Sequence, residues 1–176
     1  MDLRKALLEE HSKQQVESII RWIGRDVTRI GELIDLFLHD DKRVVQRAAW
    51  AVSGVASQHP DLIVTHLPAL VKRAQEEGIH DAVKRNVFRL LQFTELPEVI
   101  HGDLMNCCFD AVADPAEALA IRAFAMTVLA RLALVYPELT NELKIILEDA
   151  LQQEQAPSFK SRGKKILQQL NKLTKS

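Results

Sequence analysis

Apolar residues recur along the chain with helical spacing, in blocks set apart by prolines, glycines and acidic residues. Val16, Ile19, Ile20 and Ile23 fall at i, i+3, i+4 and i+7, which is one face of an α-helix. Ser12, with Gln15 three positions on, reads as a capping box, and Gly24 can end the helix in the left-handed conformation. Leu3, Ala6 and Leu7 predict a shorter helix ahead of it. After Asp26 the same face returns as Ile30, Leu33, Ile34 and Phe37. Asp40 and Asp41 then break the pattern and cap a helix whose buried side holds Val44, Val45, Ala48, Ala49, Val52 and Val55.

The cycle restarts at a mark that occurs three times. His59-Pro60-Asp61-Leu62, Leu96-Pro97-Glu98-Val99 and Tyr136-Pro137-Glu138-Leu139 each place an acid and an aliphatic residue after proline. The prolines lie 37 and then 40 residues apart. Within the cycles, Pro68 starts or kinks a helix that Gly78 ends, and Asp81 caps one carrying Val83, Val87, Leu90 and Leu91. A helix through Leu104, Cys107, Cys108 and Ala111 follows Pro97. Asp114-Pro115-Ala116-Glu117 is the strongest start signal, with a cap, a proline at the first helical position and an acid at the third. The last two helices follow Pro137 and Pro157.

A period of this length predicts stacked supersecondary units. The expected division is a cap pair over 1–24 and helix pairs over 26–59, 60–96, 97–136 and 137–176, in a single domain over 1–176. A second register supports it. Arg47, Arg85, Arg122 and Arg162 are spaced 38, 37 and 40 and open each second helix. Each is followed by Ala48, Asn86, Ala123 or Gly163, and preceded three positions earlier by Val44, Ala82, Leu119 or Phe159.

From Pro68, PALVKRAQEEGIHDAVKRNVFRLLQ resembles the proline-led first helix, turn aspartate and basic second-helix start of the HEAT-like α-solenoids. DDKRVVQRAAWAVSGVA at 40–56 is similar, with an alanine-rich second helix. The chain departs from a strict motif in its aspartate-to-arginine separation, which is six at Asp41, four at Asp81 and eight at Asp114. The resemblance implies an all-α, right-handed superhelix of about four HEAT-like pairs with a short N-terminal cap. It also implies an inner surface, lined by second helices, that holds another macromolecule.

Composition agrees with helices: hydrophobic residues make up 47%, aromatics only 5%, and there are six glycines in 176 residues. The net charge of −1 supplies no global field to draw the protein to nucleic acid or an anionic membrane. No apolar run approaches the ~18 residues of a spanning helix. MDLRKALLEE, of mixed charge, is unlike a signal peptide, so the expected compartment is the cytoplasm.

The arginine register admits two readings. It is a basic stripe suited to an acidic peptide or a phosphate backbone, or a set of pairs with turn aspartates such as Asp41, Asp81 and Asp114 that orients neighbouring repeats. Further cations, Lys42, Arg43, Lys84, Arg89, Arg131, Lys164 and Lys165, also fall on second helices. Trp50 and Phe88 both stand three residues after a register arginine, either as core or as stacking platforms for bases. From Lys160 to Lys175 there are six cations and no acid, opposite an acidic preceding helix.

Catalytic chemistry finds no motif. One HEAT-like family is a di-iron hydroxylase built on His-Glu pairs, but none of the six histidines here precedes glutamate. Cys107-Cys108 lack further ligands at zinc spacing and read as small core residues. The HEAT-like alkylpurine DNA glycosylases use a basic, aromatic-lined groove and an essential aspartate that has no residue-by-residue match here. The catalytic loop of the adenylosuccinate lyase fold is absent, and APSFKSRGKK at 156–165 does not resemble it. The expectation is a non-catalytic scaffold without cofactor or metal that binds a protein through Arg43, Arg47, Trp50, Arg85, Arg89 and Lys165. Nucleic-acid binding, with recognition of alkylated DNA, is the alternative.

Overall fold

The computed structural model describes residues 1–173, so Lys175, counted above in the C-terminal basic run, lies outside the described residues. The fold is all-α: eleven α-helices and one 3-10 turn, with no strand among the described residues. The chain divides into two compact units, Met1–Glu98 and a second beginning at Val99, beside Pro97.

The first unit holds α1 (Leu3–Glu9), α2 (Lys13–Ile23), α3 (Val27–His39), α4 (Lys42–Gln58), α5 (Pro60–Val64), α6 (Leu67–Ala74) and α7 (Asp81–Leu91). Its hub is α4, which packs against α1, α2, α3, α5 and α7. Val44, Ala48, Ala51, Val52 and Val55 of α4 are wholly buried. Each buried valine removes apolar surface worth about 1.5–3 kcal/mol, while the alanines let neighbouring helix backbones come close. Gly54 extends this: a methyl group there would collide with the Ile20 side chain of α2.

The second unit holds α8 (His101–Ala113), α9 (Leu119–Val135), α10 (Leu139–Gln153) and α11 (Pro157–Leu173), with the 3-10 turn Glu98–Ile100 leading into α8. α9 packs on α8, α10 and α11. Its apolar residues run nearly all the way round, as a helix surrounded by neighbours requires. Leu104, Cys108 and Val112 of α8, Leu143 and Leu147 of α10, and Phe159 and Leu170 of α11 fill the rest of this core.

Several ends differ from the sequence expectation, each for a local reason. Ser12 does cap α2, its Oγ accepting the Gln15 amide at 3.1 Å. The Gln15 side chain does not reach back, however; its Nε2 donates to the Ala6 carbonyl of α1 at 2.8 Å. Pro60 and Pro68 open two separate short helices, α5 and α6. α6 ends at Ala74, and Gly78, at φ 70°, turns the chain beyond it. The cap of α7 is His80, whose Nδ1 accepts the Ala82 amide at 3.0 Å, so Asp81 is already helical. Asp114 closes α8 instead of opening α9: its amide donates to Asp110, and its side chain accepts from Ala116 in a turn. α9 therefore begins only at Leu119.

Glycine also separates crowded from open helix surface. A methyl group at Gly163 of α11 would press on three atoms of Leu151, whereas one at Gly31 of α3 would meet nothing within 4 Å. Gly31→Ala should raise the unfolding free energy by about 0.5–1 kcal/mol, because alanine loses less backbone entropy in a helix. Gly163→Ala should lower it by about 1 kcal/mol as overpacking exceeds that gain. Urea unfolding midpoints at unchanged slope measure both, and equal stabilisation by the two would contradict the packing described.

Candidate functional site

The site is built from two helix stripes in the first unit. On α4, Arg43, Gln46, Arg47, Trp50, Ser53 and Ser57 fall at three- and four-residue steps and share one face. Ala82, Arg85, Asn86 and Arg89 do so on α7, and Phe93 continues the stripe just past its end. α4 and α7 pack against each other. They run in parallel, since the first turns of one meet the first turns of the other and the last turns likewise. At the starts, His11, Arg43, Gln46, Arg47, Ala82, Arg85 and Asn86 enclose a polar hollow of about 410 Å³. At the ends, Ser53, Ala56, Ser57, Pro60, Arg89, Leu90 and Phe93 enclose a more apolar one of about 300 Å³.

Local capping sets up the first hollow. Asp41 Oδ1 accepts the Arg43 and Val44 amides at 2.9 and 3.1 Å, which starts α4 so that Arg43 stands exposed at its second position. Arg47 is half-buried and anchored, one guanidinium nitrogen donating to the Leu7 carbonyl of α1 at 2.9 Å. Arg85 and Arg89 are exposed. Neither Arg43 nor Arg85 has an acidic partner among the described residues. Trp50 is 40% exposed and meets the His11 ring edge-on, centroids 5.4 Å apart. Lys165 is exposed on α11 and belongs to the second unit.

The four register arginines do not behave alike, and among the described residues Arg47, Arg85 and Arg122 form no ion pair with the turn aspartates. Asp41 instead caps α4 and takes Arg4 at 2.7 Å. Arg122 is 2% exposed. It donates to the Val112 carbonyl and to Glu154, both at 3.3 Å, and lies over the Phe159 ring at 4.9 Å. Its Nε has no hydrogen-bond partner among the described residues. Arg162 is half-buried, donating to the Ala123 carbonyl at 3.3 Å and to Thr127 Oγ1 at 3.1 Å. Only Arg85 keeps the open position that a contact stripe requires.

Trp50 and Phe88 part company in the same way: Phe88 is 1% exposed and belongs to the core. Arg89, one position after Phe88, takes on α7 the exposed place that Trp50 holds on α4. The periodicity alone did not single out His11, Gln46, Ser53 or Phe93. Phe93 is 74% exposed, and its place four residues after Arg89 was the available signal.

Charge is segregated between helices, which the net value conceals. α4, α9 and α11 carry no acid, and α7 carries only Asp81. α3 carries Glu32 and Asp35, α8 Asp103 and Asp110, and α10 Glu142, Glu148 and Asp149. In the second unit, α9 and α11 border an apolar hollow of about 540 Å³ at Ala130, Leu134, Ile166 and Leu173, with Arg131 and Lys172 also lining it. Burial pulls the Arg131 guanidinium below its ordinary pKa. Cys108 is buried and its thiol is pushed well up, by desolvation first and then by Cys107. Among the described residues, no three His, Cys, Asp or Glu side chains cluster as metal ligands would.

Comparison with family models matches residues 3–170 to a model described as a HEAT repeat domain. No curated protein and no solved structure matches the chain.

The contrast between the register arginines is directly measurable. Arg122→Ala should lower the unfolding free energy by about 3–5 kcal/mol, because Glu154 and a buried carbonyl lose their partner. Arg122→Lys should recover little, since an ammonium cannot reproduce the planar fork. Arg85→Ala should fall within about 0.5 kcal/mol of the parent in the same urea titration. A large loss at Arg85 would place it in the mortar as well.

Proposed function

The chain belongs to the HEAT repeat family, and we propose that it is a non-catalytic scaffold that holds a protein partner along the α4–α7 seam of its first unit. HEAT repeats generally mediate protein–protein interaction, and the family is generally non-catalytic. The observation that carries the reading is the acid-free hollow lined jointly by Arg43, Arg47 and Arg85, continued by Arg89 into a second, apolar hollow. Exposed guanidiniums with no internal acid are free to pair with an anionic partner surface and give it register. Trp50 and Phe93 add the exposed aromatic surface typical of interface anchors. Lys165 is the corresponding candidate on the second unit. No helix among the described residues is long and apolar enough to cross a membrane.

Nucleic acid is the second reading, favoured by Trp50 standing beside the seam's arginines. The burial of Phe88 weighs against it, because it removes the second of two stacking platforms.

Arg43→Glu combined with Arg89→Glu should weaken capture of native protein partners about tenfold or more, with the helical circular dichroism unchanged. Retention of every partner by this variant would remove the seam from consideration. A gel shift that falls steeply between about 50 and 200 mM salt would favour the nucleic-acid reading instead.

A further inference from the structure

Building on the reading of the α4–α7 seam as the contact surface, we propose that it takes an extended, phosphorylated segment of the partner. The phosphoryl group enters the Arg43–Arg47–Arg85 hollow, and an aliphatic side chain a few residues away enters the Ser53–Phe93 hollow. The first half of the argument is electrostatic. Three guanidiniums line one hollow, and the other lining residues, His11, Gln46, Ala82 and Asn86, include no acid. Arg47 is held by a neutral carbonyl, so its charge is not cancelled. A phosphoryl group brings a charge of about −1.5 to −2 and three acceptor oxygens, enough to engage more than one guanidinium fork. A single carboxylate has one charge and two oxygens.

The second half is the neighbouring hollow. Ala56, Pro60, Leu90 and Phe93 give it an apolar wall, with Phe93 74% exposed. Ser53 Oγ, which belongs to the same lining, is buried and has no hydrogen-bond partner among the described residues. The hollows are offset by about ten residues along α4 and six along α7, roughly 10–15 Å at 1.5 Å per residue. An extended chain covers that distance in about three to four residues, at ~3.3–3.6 Å each. The ligand is thus a phosphoserine or phosphothreonine with an aliphatic residue three or four positions away.

The test uses the full chain on a peptide array. Phosphoserine is fixed at the centre of an alanine-glycine background, and leucine is scanned from one to six positions on either side. Matching rows carry serine or glutamate at the centre. The expected result is about tenfold stronger signal for phosphoserine over serine, glutamate falling between, and a maximum with leucine three or four positions away. Arg43→Gln with Arg85→Gln should abolish the phosphoserine preference. Equal phosphoserine and serine rows, or a preference that survives the double variant, would overturn the assignment. No dependence on leucine position, with inorganic phosphate competing as well as the peptide, would reduce the ligand to a free oxyanion and overturn the segment. Binding of a single-stranded oligothymidine by the wild type but not by the double variant, with dark phosphoserine rows, would overturn it in favour of nucleic acid. Phosphatase treatment of the partner separates this inference from the reading beneath it. A partner lost by the Arg43→Glu, Arg89→Glu variant but still bound after dephosphorylation leaves the seam in place and refutes the phosphoryl ligand.

Discussion

Each of the two units depends on how its helices end. Each α-helix leaves four carbonyls without intrahelical partners, and the eleven helices of the described residues multiply that requirement. Glycine in the left-handed conformation is the usual local solution, but among the described residues only Gly24 and Gly78 have positive φ, and only Gly24 stands at a helix end. The chain uses long side chains instead. Arg47 closes the Leu7 carbonyl of α1, Arg29 the Trp22 carbonyl of α2, Arg73 the Leu38 carbonyl of α3 and Arg122 the Val112 carbonyl of α8. Each accepting residue lies in the last turn of its helix, where a cation also meets the negative end of the helix dipole. Because Arg47 and Arg73 reach back 40 and 35 residues, finishing one helix also fastens it to the next repeat.

That constraint explains which arginines are left exposed. The Leu38 carbonyl is taken by Arg73 from α6, while Arg85 stands exposed. Arg47 is half committed, Arg122 wholly committed, and Arg162 is occupied by Ala123 and Thr127. Ion pairs at the same interval, Arg4 to Asp40 and Arg25 to Asp61, keep the acids of the turns occupied as well. The Arg4 guanidinium and the Asp41 amide hold the Asp40 carboxyl below the usual carboxylate range, and Arg25 does the same for Asp61. With those acids engaged elsewhere, Arg43, Arg85 and Arg89 remain as uncompensated charge on the seam.

Helix existence was legible because it is local: the 3.6-residue period survives whatever packs against it, and Ser12, Gly24 and the prolines act within a turn of themselves. Boundaries failed where one residue served two neighbours. Asp114 fits the cap of α9 as a motif, but its amide already completes α8, so the chain needed four more residues before the next helix. The arginine register was legible as a period, but the exposure of each member was not, because it depends on what packs opposite. Trp50 and Phe88 show the same limit. Both follow a register arginine by three residues, and packing, which the period does not carry, leaves one aromatic on the seam and the other in the core.

The near-neutral total charge sharpens what the seam can recognise. Screening at physiological salt confines the field of exposed charges to about 8 Å, so the first hollow acts at contact and does not steer at a distance. A polyanion gains most from a long, even row of cations that releases many counterions. Here the row is uneven: three guanidiniums gather at one end, Trp50 turns its ring against His11, and the far end becomes apolar around Phe93. A surface graded from charge to hydrophobe over roughly 10–15 Å matches a short segment that is itself graded, with one concentrated negative group and one aliphatic side chain. A uniform phosphate backbone would satisfy the first hollow and leave the second exposed to water, and the polarity of the seam therefore favours a peptide.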